Sequence, residues 1–529
     1  MAAEAGEQLL RLHPDDPVGV ARRELEVGER ASGVEVRDQV PAGHKVALVD
    51  LPAGTVVRKY GQPIGVTTAP VRAGEHVHSH NLASLAGATS RADRAPLAGG
   101  DSSASGGRDG VPATVATPPL HVATDRQQAT FAGFVRPDGR VGTRNYLAVL
   151  SSVNCSATAA KMIAGAFSAP GALDAYPGVD GVLALTHSTG CGLGAQGEGL
   201  TVLRRTLAGY ARHPNVVGVV VIGLGCEVNQ VDELVDEIDL PEWMSLKSLT
   251  IQEAGGTRAA VKEGVGAVRA ALESLELPER TPVPASELVL GLNCGGSDAW
   301  SGISANPVLG AACDLLVACG GTAVLGETPE IHGAEHILAA RAVSPAVAER
   351  LRERVAWWEH YTAADGTNLD SNPSPGNRAG GITTIEEKSL GAVAKGGGSP
   401  LADVVAYAEP VRSRGLVFMD TPGYDPVSVT GIVAGGATVV CFTTGRGSVF
   451  GGKPAPTLKL ATTTDLYKRM AGDMDMNAGA VLDGDATVPE LGAQLFDRLL
   501  GVASGALTCS EELGFGDEEF TPWQLGAVL

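Results

Sequence analysis

From Phe131 onward the chain repeats one unit: an apolar run, a short loop rich in Gly, Asn and Ser, then a helical stretch. "NYLAVLSSV" leads into Asn154-Cys155-Ser156 and the helical "ATAAKMIAGAF". "GVLALTHSTG" leads into Cys191-Gly192, "NVVGVVVIG" into Leu224-Gly225-Cys226-Glu227, and "ELVLGLN" into Cys294-Gly295-Gly296-Ser297-Asp298. "TAVLGETPEIHG" precedes another helix, and a final unit starts near Gly396 with "GLVFMD", "PVSVTGIVAGGA" and "TVVCFTTGRGS". Strands apolar along their whole length are buried on both faces, and helices between them supply the crossovers that parallel strands require. This part of the chain is therefore predicted to be α/β, with mostly parallel sheets.

Cys155, Cys191, Cys226 and Cys294 each follow such a strand at its C-terminal end. Ligands of open α/β sheets bind outside those ends, so four strands are expected to bring four thiols to one rim. A thiolate-bound metal, an iron–sulfur cluster and a polar catalytic rim are the chemistries open to such a group. The plain alternative is that each cysteine is a small buried apolar side chain.

Residues 11–82 read differently. "KVALVD", "GTVVRKYG", "PIGVTTAPV" and "EHVHSH" are short strands separated by turns, which predicts a small all-β domain. A segment rich in Gly, Ser, Ala and Pro follows and is expected to be a flexible linker that cannot bury a core. The predicted organisation is 1–85 all-β, 86–128 linker, 129–395 α/β catalytic domain and 396–529 C-terminal Rossmann-like domain.

"GEHVHSHN" places His76, His78 and His80 two residues apart. On a strand, alternate side chains share a face, about 6.6 Å apart from the ~3.3 Å rise. Imidazole suits iron, manganese or zinc, so the row is a candidate metal or substrate site, with a solvated strand end as the alternative. The loop Thr443–Ser448 offers backbone N–H groups, and Arg446 can fork onto a carboxylate. Arg136, Arg140 and Arg144 in "RPDGRVGTRN" are read either as an anion site or as a solvated loop. "NPSPGNRAGG" is too rich in Pro and Gly for a regular element, and is either a loop near a site or an ordinary connection.

The net charge of −20 argues against a nucleic-acid partner, which needs clustered Lys and Arg. It leaves room for an acidic small molecule in a local basic pocket. The first residues, MAAEAGEQLL, lack a basic start and an apolar run, and no stretch approaches the ~18 apolar residues of a membrane span. A cytoplasmic protein without a membrane partner is expected, with the oligomeric state open to a homo-oligomer. Eight cysteines in such a chain point to thiol chemistry or metal binding rather than disulfides.

Taken together, "HPDDPVGVA", "GHKVALVDLPAGTVVRKYGQPIG", "GEHVHSHN", "GFVRPDGRVGTRNY", "HSTGCG", "VIGLGCEVNQ", "CGGSDAWSGISANP", "NPSPGNRAGGITTIEEKSLG" and "FTTGRGS" resemble, in order, the altronate/galactarate dehydratase family of sugar-acid hydro-lyases. The resemblance implies a SAF-type β-clip domain at the N-terminus, followed by a two-part catalytic body. It implies removal of water from an aldonic or aldaric acid to give a 2-keto-3-deoxy product, with Fe2+ or Mn2+ as cofactor. The histidine row and "ALTCSEE" resemble the altronate branch. His76, His78, His187 and Cys191 become candidates for catalysis, and His76, His78, His80, Cys155 and Cys294 for metal binding. Lys45, Arg144, Ser297, Asp298, Arg446 and Ser448 become candidates for holding the sugar acid. Galactarate or another aldonate or aldarate is an alternative substrate. Two competing readings are a sulfolactate sulfo-lyase, in which the small domain is usually a separate chain, and a sugar-acid sensor without catalysis.

Overall fold

The computed structural model describes residues 8–85 and 128–526. The expected linker, 86–128, lies outside them apart from its last residue. Among the described residues no helix is long and apolar enough to cross a membrane.

The small domain is built from short antiparallel strands. Leu9–Leu10, Val18–Ala21, Lys45–Ala47 and His76–Val77 form one sheet in that spatial order, and Val56–Lys59, Gln62–Thr67 and Leu82–Ala83 form another. One face has its own core of Leu9, Leu25, Val36, Val40 and Val46. The other does not close by itself. Val18, Val57, Ile64 and Val77 belong to one apolar cluster with Leu290, Leu309 and Leu325 of the body. Burial of these side chains therefore seats the domain on the body as well as folding it.

The body holds two parallel sheets joined by an antiparallel seam, in which Thr130–Val135 pairs with Thr281–Pro284. The first sheet runs Gly181–Leu185, Tyr146–Ser151, Val216–Gly223, Ser245–Thr250. The helices Asn154–Gly165 and Thr257–Ser274 pack against each other on it, as do Glu198–Ala211 and Val231–Ile238. The second sheet has seven parallel strands: Leu401–Val405, Gly415–Met419, Thr322–Leu325, Val289–Cys294, Val439–Thr444, Thr457–Ala461 and Met476–Asn477. The expected boundary between residues 395 and 396 falls inside this sheet, which takes strands from both sides of it. The break between the two α/β units instead lies at the seam near Thr281–Pro284, because a sheet buried on both faces cannot be divided without exposing apolar strands.

Each sheet has a switch point where successive crossovers turn to opposite sides. In the seven-stranded sheet it lies between Val289–Cys294 and Val439–Thr444; in the four-stranded sheet, between Tyr146–Ser151 and Val216–Gly223. The crevice outside the strand ends at such a point is the usual ligand site of an open α/β sheet.

Candidate functional site

The crevice of the seven-stranded sheet is filled with charge. Cys294 ends the strand on one side, and the backbone N–H groups of Gly445 and Arg446, after the strand on the other side, both donate to Gly296 O. Glu327 and Glu330 follow Thr322–Leu325, the first capping and the second ending a single turn of 3-10 helix, Thr328–Glu330. Glu327 has φ 68° and ψ 59°, a left-handed conformation that costs a non-glycine residue about 1–3 kcal/mol and gathers at functional sites. Cys294 Sγ lies 3.6 Å from Glu327 Oε2 and 3.8 Å from Glu330 Oε2. Among the described residues, these three are the group whose ligand-type atoms come within 4.8 Å of one another.

Two lysines answer this negative charge. Lys395 Nζ, fully buried, donates to Cys294 Sγ at 2.9 Å and pairs with Glu327. Lys388 Nζ pairs with Glu330 at 2.6 Å and donates to Asn372 Oδ1 at 2.9 Å. Burial, then the Glu327 charge, pushes the Cys294 thiol up to about 12. Burial also raises Glu327, and it raises Asp425 well above the carboxylate range, helped by Glu327 and Glu330. Lys395 is raised: burial acts against its charge, but Cys294 and Glu327 outweigh it. Ser297 Oγ, Asn293 Oδ1 and Glu327 Oε1 are buried with no protein partner, a concentration of unmet polar atoms that marks a site. A cavity of about 10 Å³ lies among Lys59, Tyr60, Cys294, Ser297, Glu387 and Lys388, with room for about one water.

The histidines come from the small domain. Only His76–Val77 is strand; the chain then turns, with Asn81 Nδ2 donating to His76 O and His78 N to Asn81 Oδ1. The turn gathers the rings more tightly than an extended row would. His76 is 5.3 Å from His78 and 5.3 Å from His80, centroid to centroid. A fourth imidazole joins them: His44 lies 4.8 Å from the His78 ring, and its Nδ1 is 3.0 Å from His76 Nε2. The group faces the short helix Pro375–Ala379 of the body, a regular element where the run of Pro and Gly predicted none, started by a capping box between Ser374 and Asn377. His78 Nε2 meets Arg378 O at 2.9 Å, and His44 Nε2 meets Ala379 O at 3.3 Å. That helix packs in turn on the residues that follow Val289–Cys294, since Ala299 N donates to Gly380 O and Asn377 Nδ2 to Ser297 O. Burial, then the neighbouring imidazoles, brings His76 down to about 3; burial, then the Lys45 charge, brings His78 down to about 4. Both are neutral at physiological pH, the form in which imidazole accepts a proton or binds a metal.

A buried ionic joint holds the small domain in place. Glu387 accepts from Lys45 at 3.0 and 2.8 Å and from Lys59 at 2.9 Å, with all three side chains nearly inaccessible. Two ammonium groups share one carboxylate. Burial brings Lys45 down to about 8, while Glu387 and Tyr60 outweigh burial and raise Lys59.

Several expected roles change once these neighbours are known. Lys45 spends its three N–H donors on Gly381 O and the two Glu387 oxygens, so it serves the joint rather than a substrate. Arg144 spends all five on Glu511, Thr143 O, Val502 O and Ala506 O, and is 1 % exposed; it is a structural clamp. Arg136 bonds to Pro214 O and Arg144 O, and Arg140 to Asp138, so that motif binds protein, not an anion. His187 is buried in the first sheet's domain, with Nε2 on Ser151 O and Nδ1 accepting from Thr189 N, which leaves no nitrogen for catalysis. Asp298 is buried and caps its own turn, with Oδ1 accepting from Trp300 N and Ser301 N. Ser297 lines the cavity, and Arg446 is exposed beside Gly296. Ser448 Oγ accepts from Phe450 N. The four strand-end thiols do not share one rim: Cys294 is on the seven-stranded sheet, while Cys155, Cys191 and Cys226 are on the four-stranded one.

The sequence reading missed His44, Lys59, Glu327, Glu330, Glu387, Lys388 and Lys395. The signal for Glu327 and Glu330 was present: two carboxylates in "GETPEIHG", where an apolar strand ends. Glu387 and Lys388 sit in "ITTIEEKSLG", where adjacent charges look like an ordinary solvated helix face.

Three family patterns cover the chain. The one described as altronate/galactarate dehydratase SAF domain matches residues 7–85. D-galactarate dehydratase/altronate hydrolase, second domain, matches 133–276, and D-galactarate/altronate dehydratase, C-terminal, matches 285–528. The chain is 35 % identical to an altronate dehydratase of Bacillus subtilis over 98 % of its own length and 99 % of the relative's. It is 36 % identical to an altronate dehydratase of Escherichia coli, over 99 % and 100 %. It is 37 % identical to the L-threo-forming galactarate dehydratase of Escherichia coli, over 96 % and 95 %.

Proposed function

The chain belongs to the altronate/galactarate dehydratase family, and from that premise we propose that it is a hydro-lyase acting on D-altronate, giving 2-dehydro-3-deoxy-D-gluconate and water. The observation that carries the reading is the set of four imidazoles, His44, His76, His78 and His80, brought by the small domain to the helix Pro375–Ala379 beside the crevice. Overall identity favours neither altronate nor galactarate; the choice of altronate rests on the histidine-rich "GEHVHSHN".

The donor chemistry at the two clusters differs. The imidazoles are neutral, and the 3.0 Å between His44 Nδ1 and His76 Nε2 matches the spacing of adjacent ligands on an ion with bonds of about 2.1 Å. The Cys294 group already contains two ammonium ions, Lys388 and Lys395, whose charge opposes a further cation. We therefore place Fe2+ or Mn2+ at the histidines, with His44 Nδ1 and His76 Nε2 as the adjacent pair; among the described residues no three imidazole nitrogens gather within 4.8 Å, so the remaining ligands would come from the sugar acid and water. Such an ion, when bound, supplies Lewis acidity toward the carboxylate and C2 hydroxyl.

The protein's own groups do the rest. The C2 proton, next to a carboxylate, needs a base, and His76 is available uncharged to take it, while His78 meets Arg378 O and Ser79 Oγ with its two nitrogens and positions the row. The C3 hydroxyl needs a proton to leave as water, and the crevice offers Asp425, raised well above the carboxylate range, and the Cys294 thiol, while Glu327 stays paired with Lys395. The exposed Arg446 offers positive charge to the substrate carboxylate, whereas Lys388 holds Glu330, Asn372 and Asn377. A panel of aldonic and aldaric acids, incubated with protein purified without oxygen and supplied with Fe2+ or Mn2+, tests this. The expected result is a 2-keto-3-deoxy acid formed fastest from D-altronate. Faster turnover of galactarate would reassign the substrate, release of sulfite from sulfolactate would reassign the leaving group, and binding without turnover would make the chain a sensor.

A further inference from the structure

The second switch point carries a different chemistry. Cys155 follows Tyr146–Ser151, Cys226 follows Val216–Gly223, and Cys191 follows Gly181–Leu185, the neighbour of the first. Two of the three cysteines thus flank the crevice directly, and the third stands beside it. All three are free and exposed, although unpaired cysteine is among the most regularly buried residue types.

Their loops are tied into one unit. Asn154 N donates to Thr189 O at 2.9 Å and Asn154 Nδ2 to His187 O at 3.2 Å, which joins the Cys155 loop to the Cys191 loop. Asn229 N donates to Gly190 O at 3.0 Å and Asn229 Nδ2 to Ser152 O at 2.9 Å, which joins the Cys226 loop to both. Ser152 Oγ donates to Glu227 Oε1 at 2.6 Å. Gly190, at φ 100°, lies so close to Ser152 that a Cβ would strike its carbonyl oxygen. Every cysteine is next to a residue of this network, on adjacent strands about 4.8 Å apart. The chain has placed three exposed thiols on a braced platform.

We propose that Cys155, Cys191 and Cys226 bind a [4Fe–4S] cluster whose fourth iron has no cysteine ligand. A mononuclear thiolate ion would need its sulfurs about 3.8 Å apart, from Zn–S bonds of about 2.3 Å in a tetrahedron; these three are not all within 4.8 Å of one another. A cubane attaches each cysteine to a different iron and so spreads them. On binding, each thiol loses its proton and forms one Fe–S bond; iron and sulfide come from outside. The fourth iron is left to an oxygen donor, a class that includes water and hydroxy acids. A cavity of about 310 Å³ adjoins the Cys191 loop, lined in part by Leu193, Gly197, Trp357 and Tyr361, so an organic ligand has space nearby.

The test uses the full chain, purified without oxygen and reconstituted with ferrous iron and sulfide, with iron and acid-labile sulfide measured per chain. About four sulfides and, with the histidine ion also loaded, about five irons are expected, with an iron–sulfur absorption band that is lost in air. Cys155→Ser, Cys191→Ser and Cys226→Ser should each lose most of the sulfide while thermal melting stays near that of the parent, since the thiols are exposed. Cys294→Ser and the double variant His76→Ala/His78→Ala should keep it, which separates this centre from the histidine ion. Iron without sulfide, no iron at all, a disulfide between two of the three, or equal sulfide in the triple serine variant would each overturn the proposal.

Discussion

Lys59 of the small domain places its ammonium 2.9 Å from the Glu387 carboxylate of the body, and both side chains are 2 % exposed. Lys45 approaches the other oxygen of the same carboxylate. Removing one member of a buried ionic group strands the rest, at a cost of about 3–5 kcal/mol. Glu387→Gln should therefore lower stability by about that amount in urea denaturation, and should loosen the small domain enough for a protease to release it. The triple replacement Lys45→Met, Lys59→Met, Glu387→Leu should recover much of the loss. A Glu387→Gln variant as stable as the parent would show that the joint contributes little.

The same joint gives a pH dependence. Burial alone would raise the Glu387 carboxyl, but Lys45 and Lys59 hold it well below its ordinary value. A carboxyl depressed in the folded state contributes stability that is fully present above its unfolded pKa, about 4.3, and is lost as pH falls toward the folded value. Unfolding free energy measured from pH 6 down to pH 3 should fall more steeply in the parent than in Glu387→Gln. Parallel curves would assign the acid sensitivity to other groups.

The histidine cluster should separate activity from stability. His76 and His78 are half-buried and His80 is exposed, so alanine at these positions removes little packing. His76→Ala should lower turnover by about 10² or more, the scale of a lost general base, and His78→Ala by less, while the melting temperature moves little in both. His44→Ala should behave in the same way and also weaken retention of iron, read by metal analysis after gel filtration. Full iron retention in His44→Ala would remove that residue from the ligand set.

The parallel sheets are legible in the sequence because fully buried strands read as unbroken apolar runs; Val216–Gly223 is buried at every position. The histidine row is legible because three imidazoles in five residues have few plain explanations. Sheet membership is not local. Cys226 and Cys294 follow similar apolar strands, yet the seam at Thr281–Pro284 sends the second to a different sheet. Buried charge is equally hidden: Arg144 in a basic loop and Glu387 on a charged helix turn look solvated until the chain folds over them. Only the tertiary neighbours show that the first is saturated by three carbonyls and the Glu511 carboxylate and the second is held by lysines.

Two arginines can be told apart by where a substitution acts. Arg144 is buried with five acceptors, and lysine can satisfy at most three. Arg144→Lys should lower the melting temperature and leave KM for the sugar acid close to that of the parent. Arg446, exposed beside Gly296, should do the reverse: Arg446→Ala should raise KM about tenfold, the worth of one charge-assisted hydrogen bond near 1.4 kcal/mol, with stability unchanged. A KM effect from Arg144→Lys with normal melting would return that residue to the substrate.

The pair Lys395 and Glu327 offers the sharpest test of the crevice. Lys395 is the buried cation between Cys294 and Glu327, and Glu327 has a second oxygen with no protein partner. Lys395→Met leaves Glu327 beside Glu330 without its cation, and burial alone then favours the protonated acid. Stability at neutral pH should fall by about 3–5 kcal/mol and should be partly regained on mild acidification, because protonating Glu327 removes the stranded charge. The double variant Lys395→Met/Glu327→Gln should be more stable than Lys395→Met alone, with a coupling of about 1–3 kcal/mol in the double-mutant cycle. It should still be slow in turnover, since it has lost the ion pair that holds Cys294 in the crevice. Strict additivity of the two substitutions, in stability and in turnover, would mean that the pair does not act as a unit.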